Sequence, residues 1–315
     1  MKVGFIGLGN LGSKLAASLV RNGVDVTVHD INQKAVTDLK ALGAGSESSP
    51  KDVAAHCDVI ITCLPSPQIS AAVLEADDGI LAGIRTGATW VEMSTTDESE
   101  VKRLAVKINE AGGNTAECPV SGGCHRAATA NISIFAGCER EVFEDVFPIL
   151  KLMGRRILHT GPLGSASVLK VVTNFLATAN LVAISEALVT CQATGMDMNV
   201  AYEAIKISSG NSFVHETESQ LILNGSREID FTMDLVIKDV GLFQRIAEQA
   251  GVPVEMSPML LGIFNDGVSR YGEREWSTNI IKRLEDKTDQ QVHADGFPST
   301  LTDDEPEIQG FEVKP

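Results

Sequence analysis

The stretch Lys2-Val-Gly-Phe-Ile-Gly7-Leu-Gly9-Asn-Leu-Gly12 decides the fold of the first half of the chain. It is a short apolar run that ends in three glycines spaced G-x-G-x-x-G. Residues 13–21 then repeat apolar side chains with helical spacing, and residues 24–30 alternate as a second strand. In such a loop the first glycine makes a tight turn, the second lets the backbone reach a pyrophosphate, and the third lets helix and strand pack closely. The order of strand, glycine turn, helix and strand predicts a dinucleotide-binding domain.

Asp30 ends the second strand, eighteen residues after Gly12. A carboxylate at this point accepts hydrogen bonds from the ribose hydroxyls of adenosine and repels a 2′-phosphate. The next residues, Ile31-Asn32-Gln33, include no arginine or lysine to bind such a phosphate. The sequence therefore predicts NAD as the cofactor in preference to NADP.

Three further apolar runs predict buried strands, each ending in a loop of small or polar residues. They cover residues 58–63, 88–93 and 115–118, and their loops are Leu64-Pro65, Ser94-Thr95 and Ser121-Gly122-Gly123. Ligands of an open parallel sheet gather at the carboxyl ends of its strands, so we expect these loops to face one crevice. Two glycines after a serine expose backbone N–H groups beside a hydroxyl, which suits a carboxylate. Turn and helix-cap chemistry is an equally good explanation of the first two loops.

A long apolar segment, residues 161–192, predicts a buried helix. Lys170 is its only charged residue before Glu186, and Asn174 stands one turn from Lys170 on the same helix face. A lysine in such a segment either extends its head group back to water or serves as a catalytic ammonium. The helix alone leaves both interpretations open.

Strand patterning stops after this helix, and residues 199–284 predict an all-α second domain. Lys238 and Asp239 lie together on one of its helices, where such a pair is most often solvated. Residues 286–315 are polar and acidic. They predict a flexible tail or, less favourably, an arm laid on a partner subunit.

Length and composition are those of a two-domain globular protein. The chain has 315 residues, of which 43% are hydrophobic, and we expect no run of residues to span a membrane. A net charge of −16 argues against nucleic acid and anionic membranes as partners. The six cysteines lack metal-binding spacing, so no metal is expected. The N-terminus shows no basic signal region, which predicts a cytoplasmic location.

Together these motifs resemble the β-hydroxyacid dehydrogenase family over about residues 1–285. The resemblance implies an α/β fold class, with an N-terminal Rossmann-like dinucleotide-binding domain at residues 1–161. An all-α substrate and dimerisation domain, built on a long interdomain helix, would follow at residues 162–285. Residues 286–315 would form the acidic flexible tail or arm.

The resemblance also implies roles for the motif residues. The cofactor-binding residues would be Gly7, Leu8, Gly9, Asn10, Leu11, Gly12, Asp30, Leu64, Pro65, Thr95 and Lys238. Ser121, Gly122 and Gly123 would bind a substrate carboxylate, and Lys238 would also be substrate-binding. Lys170 falls on the family's catalytic lysine, and Asn174 on the asparagine that helps to hold the substrate.

The implied reaction is the reversible, NAD-dependent oxidation of a small 3-hydroxy acid to its semialdehyde or keto acid. Hydride would pass to C4 of the nicotinamide, with Lys170 as general acid/base. Members of the family are usually homodimers or homotetramers. Two alternatives remain: an imine reductase-like enzyme on the same scaffold, whose relatives usually replace the lysine, and a non-catalytic NAD-binding module. A decarboxylating enzyme of the 6-phosphogluconate type is disfavoured by the short helical domain and the lack of a basic phosphate cluster.

The chain departs from the family pattern around the substrate motif and the catalytic lysine. The departures are Arg126, Ala130, Asn131, Ala166, Ser167 and Thr173, in place of residues that are mostly glycine, threonine, glutamine or asparagine in the family. Arg126 is the most suggestive of them. We hypothesise that it is substrate-binding and meets an extra anionic group. The competing interpretation is that it faces solvent or caps a neighbouring carbonyl.

Overall fold

The computed structural model describes residues 1–315 and divides them into two compact units. The first unit comprises Met1–Lys170 together with Asp303–Pro315, and the second comprises Val171–Thr302. These boundaries differ from the expected divisions after residues 161 and 285. A single uninterrupted helix crosses the first boundary, and the chain returns to the first unit at its end.

The first unit contains all the strands of the protein. They are β1 (Lys2–Ile6), β2 (Asp25–His29), β3 (Gly45–Ser46), β4 (Val59–Thr62), β5 (Thr89–Glu92), β6 (Asn114–Glu117), β7 (Val120–Ser121), β8 (Ile132–Gly137), β9 (Gly154–Gly161) and β10 (Phe311–Val313). Its helices are α1 (Gly12–Arg21), α2 (Gln33–Ala41), α3 (Pro50–His56), α4 (Pro67–Glu75), α5 (Glu98–Glu110), α6 (Gly123–Ala128) and α7 (Arg140–Leu150), with a 3₁₀ turn at Ile80–Ala82.

The ten strands form one sheet in the order β10-β9-β8-β6-β5-β4-β1-β2-β3, with β7 paired to β8. The six strands from β3 to β6 are parallel and have the strand order of a doubly wound dinucleotide-binding fold. Direction reverses where β8 pairs with β6. The strand order switches between β1 and β4, so the glycine loop after β1 lies at the point where such sheets bind ligands. The predicted fold class is confirmed.

Helices cover both faces of this sheet, which explains the uninterrupted apolar strands. All four residues of β4 are buried, as expected for a strand covered on both sides. One apolar cluster packs Leu15 and Leu19 of α1 with Phe143 of α7. A second cluster packs Val53 of α3 with Trp90 of β5.

The second unit is entirely helical, as predicted. Its elements are α8 (Ser165–Ala193), which begins in the first unit, α9 (Met198–Lys206), α10 (Phe213–Asn224), α11 (Met233–Gln249), α12 (Met256–Tyr271), a 3₁₀ turn at Ser277–Ile281, and α13 (Lys282–Thr288). Leu188 of α8, Val240 of α11 and Phe264 of α12 lie in its core.

Helix α8 corrects two expectations. It is not buried on all sides, because Leu169 is 39% exposed and Leu176 is 53% exposed. It is also long and apolar enough to cross a membrane by length and composition, with a mean hydropathy of 1.5 over an 18-residue window that is one-third buried. The expectation that no run approaches a membrane span is therefore wrong on that criterion. One such helix is weak evidence for a membrane, since core helices of globular proteins pass the same test.

The acidic C-terminal segment is built into the molecule rather than forming a separate tail. Val292 is buried in the second unit, where the Asn224 Nδ2 donates to the carbonyl oxygen of Phe297 at 2.8 Å. Further on, β10 adds to the sheet in parallel with β9, and Arg140 pairs with Glu312. Residues 303–315, the C-terminal arm, are thus laid on their own chain, because the sheet edge and basic side chains of the first unit supply their partners.

Candidate active site

The glycine loop has the geometry that a pyrophosphate requires. Gly7 has a φ of +95°, which favours glycine, and a Cβ at Gly12 would lie 2.1 Å from the Gly7 carbonyl oxygen. A Cβ at Gly9 would meet nothing within 4 Å. Gly7 and Gly12 are therefore required by the protein's own packing, whereas Gly9 leaves space that a ligand can use. The loop fits a dinucleotide phosphate at the start of α1.

Asp30 lies beside this loop, at the end of β2. Its Oδ2 accepts a hydrogen bond from the Leu8 N–H at 2.5 Å, and its Oδ1 accepts one from the Asn32 N–H at 2.6 Å. The carboxylate thereby ties the glycine loop to the β2 loop. The nearest following base, Lys34, forms an ion pair with Asp38 at 2.7 Å.

The loop after β4 is held by residues that sequence reasoning did not assign to the site. The Leu64 N–H donates to the Ser94 Oγ at 2.7 Å, and the Ser94 N–H donates to the Glu92 Oε1 at 2.8 Å. Glu92 is fully buried, and burial raises the pKa of its carboxyl group. This relay joins the Leu64-Pro65 loop to the loop of Thr95. The signal in the sequence was a lone carboxyl group, Glu92, inside an otherwise apolar strand.

The Ser121-Gly122-Gly123 motif turns the chain from β7 into α6. Ser121 pairs with Ser133 of β8, and the next two residues have φ angles of +131° and +86°. Both angles strongly favour glycine, so this backbone shape depends on the motif. A Cβ at Gly122 would lie 3.3 Å from the Arg126 Cδ, which shows that the Arg126 stem lies against the motif.

Departures from the family pattern that follow this motif meet the C-terminal arm. The Arg126 Nη2 lies 3.9 Å from the Glu305 Oε1. The Asn131 Nδ2 donates to the Asp303 Oδ2 at 2.7 Å and to the Glu305 carbonyl oxygen at 2.9 Å. Ala130, where the family has glycine, has a φ of +57°, which explains the family's choice. The Arg126 guanidinium is thus paired with the arm, and its predicted contact with substrate stays a prediction.

Lys170 is buried, with only 8% of its surface exposed. The start of its helix, α8, is hydrogen-bonded to the carboxyl group of Glu117. The Glu117 Oε1 accepts hydrogen bonds from the Gly164 and Ala166 N–H groups, both at 2.7 Å, and the Ser167 hydroxyl donates to its Oε2. Burial of Glu117 raises its pKa, although these hydrogen bonds act in the opposite direction. The departures at 166 and 167 therefore lie at this contact. Glu117 was given no role on sequence grounds, although it lies in the predicted strand at residues 115–118.

In the second unit, Asn174 and Lys238 are joined through Asp239. The Asn174 Nδ2 donates to the Asp239 Oδ2 at 2.5 Å, and the Lys238 Nζ lies 2.8 Å from the Asp239 Oδ1. Asp239 is only 1% exposed, so the interpretation of a solvated pair is wrong. The helical spacing from buried Val236 already placed Asp239 on the inner face of α11.

Comparison with known proteins assigns the family. A family model described as the NAD-binding domain of 6-phosphogluconate dehydrogenase matches residues 2–161. Another, described as the NAD-binding domain of NADP-dependent 3-hydroxyisobutyrate dehydrogenase, matches residues 164–284. The chain belongs to the β-hydroxyacid dehydrogenase family. Helix α8 therefore falls inside a family domain, and residues 285–315 lie beyond both models.

Relatives in this family are named dehydrogenases and reductases. The 2-(hydroxymethyl)glutarate dehydrogenase of Eubacterium barkeri is 33% identical over 91% of this chain and 96% of its own length. The NAD-dependent L-serine dehydrogenase of Pseudomonas aeruginosa is 31% identical over 92% of this chain and 99% of its own. A crystal structure of 3-hydroxyisobutyrate dehydrogenase from Salmonella typhimurium shares the fold, with a TM-score of 0.83, 24% identity, and coverage of 90% and 99%. This β-hydroxyacid dehydrogenase family member is thus an oxidoreductase with a domain that binds NAD or NADP.

Proposed function

We propose that this protein reversibly oxidises a small 3-hydroxy acid to its semialdehyde or keto acid, with NAD as cofactor. The observation that carries the proposal is the buried Lys170, one helical turn from Asn174, on a helix whose start is held by Glu117. A buried lysine without a purpose is rare, and an amine that can exchange a proton near neutral pH is what the reaction requires.

The Ser121-Gly122-Gly123 motif and Lys170 have separate roles in the proposed chemistry. The Ser121 hydroxyl and the backbone N–H groups of Gly122 and Gly123 bind the substrate carboxylate. Lys170 takes the proton of the substrate hydroxyl during oxidation and returns it during reduction. Bound NAD would supply the acceptor for the hydride that leaves the carbon bearing this hydroxyl group.

Asn174 orients the substrate hydroxyl. One hydrogen of its Nδ2 is donated to Asp239, and the other is proposed to be donated to the oxygen of the substrate hydroxyl, whose own proton faces Lys170. Asp239 and Lys238 are therefore positioning residues for Asn174, and Lys238 is also proposed to contact the nicotinamide side of the cofactor. This arrangement assigns separate tasks to the two residues on α8.

NAD is proposed over NADP on three observations around the adenosine end. Asp30 presents a negative charge where a 2′-phosphate would lie. Residues 31–33 include no positively charged side chain to bind such a phosphate, and Lys34 is already paired with Asp38. Gly9, Leu64, Pro65 and Thr95 supply the remaining proposed contacts to the cofactor.

A homodimer or homotetramer is proposed as the working form. Leu176 of α8 and Met259 of α12 are 53% and 54% exposed in the second unit. Large apolar side chains exposed on helices occur on surfaces that a second copy covers. Light scattering of the purified protein tests this, and a monomer at micromolar concentration would contradict it.

The decisive assay is NADH formation across a panel of 3-hydroxy acids, each with NAD and with NADP. We expect activity with NAD, and we expect Lys170→Ala to lose about 10³-fold in kcat while still binding NAD. Lys206→Ala, an exposed lysine on α9, is the matched control and should keep wild-type turnover. Near-normal turnover of Lys170→Ala would remove the mechanism. Silence on every acid with imine reduction intact would favour the imine reductase alternative, and NAD binding without any turnover would favour a non-catalytic module.

A further inference from the structure

The C-terminal arm, residues 303–315, follows the two domains that the family models match. Both family models end before it, at residue 284 at the latest. The arm nevertheless belongs to the first unit, which contains the substrate motif. Its end is attached to the sheet through β10, which pairs with β9. Its beginning is attached to the residues that follow Ser121-Gly122-Gly123.

The contacts at this beginning are numerous and specific. Asp303 accepts hydrogen bonds from the Thr129 hydroxyl and from Asn131. The Arg155 Nη1 donates to the Pro306 carbonyl oxygen at 3.1 Å. The Arg21 Nη2 donates to the Glu307 Oε2 at 2.9 Å. Together they hold residues 303–307 along the end of α6.

Glu305 is thereby placed beside Arg126. The distance between the Arg126 Nη2 and the Glu305 Oε1 is 3.9 Å, and the Arg126 side chain is 27% exposed. The stem of Arg126 lies against Gly122, so its charge is close to the proposed carboxylate site. The Glu305 charge partly cancels the attraction that Arg126 exerts on an anion there.

We propose that the C-terminal arm is a specificity element of the substrate site. Glu305 offsets Arg126, so that the site favours 3-hydroxy acids with one carboxylate over those that carry a second anionic group. This proposal rests on the proposed function. It assigns a purpose both to Arg126 and to the segment beyond the family models, where Glu305 lies beside Arg126.

The test is a double-mutant cycle of Arg126→Ala and Glu305→Gln. The ratio of kcat/KM for 2-(hydroxymethyl)glutarate, which has two carboxylates, to that for 3-hydroxyisobutyrate, which has one, is measured in all four proteins. For a half-exposed ion pair we expect Glu305→Gln to raise the ratio about threefold to fivefold. In the Arg126→Ala background the same change should leave the ratio unaltered.

Glu312→Gln is the matched control, because Glu312 belongs to the arm but pairs with Arg140 on α7. It should leave the ratio unchanged. An unchanged ratio in Glu305→Gln, or an equal change with and without Arg126, would overturn the proposal.

A thermal-shift titration with butyrate and with glutarate, in the presence of NADH, measures the same preference without turnover. If the protein oxidises neither acid, the proposed function fails while this titration still tests the arm. If oxidation proceeds but Glu305→Gln changes neither readout, the arm proposal fails alone.

Discussion

Glu117 should contribute more to the free energy of unfolding than any exposed charge, because it is buried and accepts three hydrogen bonds. Glu117→Ala removes the acceptor of three hydrogen bonds, from the Gly164 N–H, the Ala166 N–H and the Ser167 hydroxyl. A buried donor left without a partner costs about 1–3 kcal/mol. Allowing for water entering the space, the expected loss in the free energy of unfolding is about 3–5 kcal/mol.

Glu117→Gln is the matched variant. Its amide oxygen still accepts from the two backbone N–H groups, and its Nε2 can donate to the Ser167 hydroxyl oxygen. Burial raises the pKa of Glu117, which shows that the charged form is already penalised. Replacing it by a neutral amide should therefore lower the free energy of unfolding by no more than about 1 kcal/mol.

Urea unfolding at pH 7, followed by circular dichroism, measures both stabilities. Turnover is expected to follow, since the first turn of α8 sets the position of Lys170. We expect kcat of Glu117→Ala to fall by about tenfold or more at a temperature where the variant is folded, with NAD binding retained. A Glu117→Ala protein within 1 kcal/mol of wild type, or a Glu117→Gln protein as unstable as Glu117→Ala, would refute this reasoning.

Three other substitutions test the structure elsewhere. Burial raises the pKa of Glu218 from 4.5 to about 8, so its folded form keeps a proton that the unfolded chain releases, and stability falls as pH rises between these values. Glu218→Gln should remove that fall and stabilise the protein by roughly 1–3 kcal/mol at pH 8 in urea titrations; a pH profile parallel to wild type would contradict this. Glu285→Ala leaves the buried Arg227 guanidinium without the carboxylate that accepts two of its hydrogen bonds, and should lower the free energy of unfolding by about 3–5 kcal/mol in urea titrations. Glu312→Gln, at the surface, should lower it by less, and equal losses in the two variants would contradict this. Asp289 has a φ of +52° at the exposed end of α13, a conformation that favours glycine. Asp289→Gly should therefore raise the free energy of unfolding by about 0.5–1 kcal/mol and the melting temperature with it, as measured by calorimetry. A lower melting temperature would show that the backbone at Asp289 is not strained.

Short-range sequence pattern was enough to predict the glycine loop and the place of Asp30 at the end of β2. The spacing of Gly7, Gly9 and Gly12 and the position of Asp30 depend only on local turns and on strand and helix lengths. For the same reason the helix period alone placed Lys170 and Asn174 on one face. In each case the residues are separated by no more than about one helix or strand. Their relative positions therefore follow directly from their spacing in the sequence.

Contacts between distant residues were decided only by the tertiary structure. Glu117 meets the start of α8 across 47 residues, and Asn174 meets Asp239 across 65. The acidic composition of the C-terminal segment predicted solvation, yet Asp303 lies against Asn131, 172 residues away. Composition records how polar a segment is, whereas its partners depend on which surface the fold brings beside it. The sequence therefore determined the domain type, the cofactor loop and the lysine helix. Only the folded chain decided what supports that helix, and which charges lie beside the substrate motif.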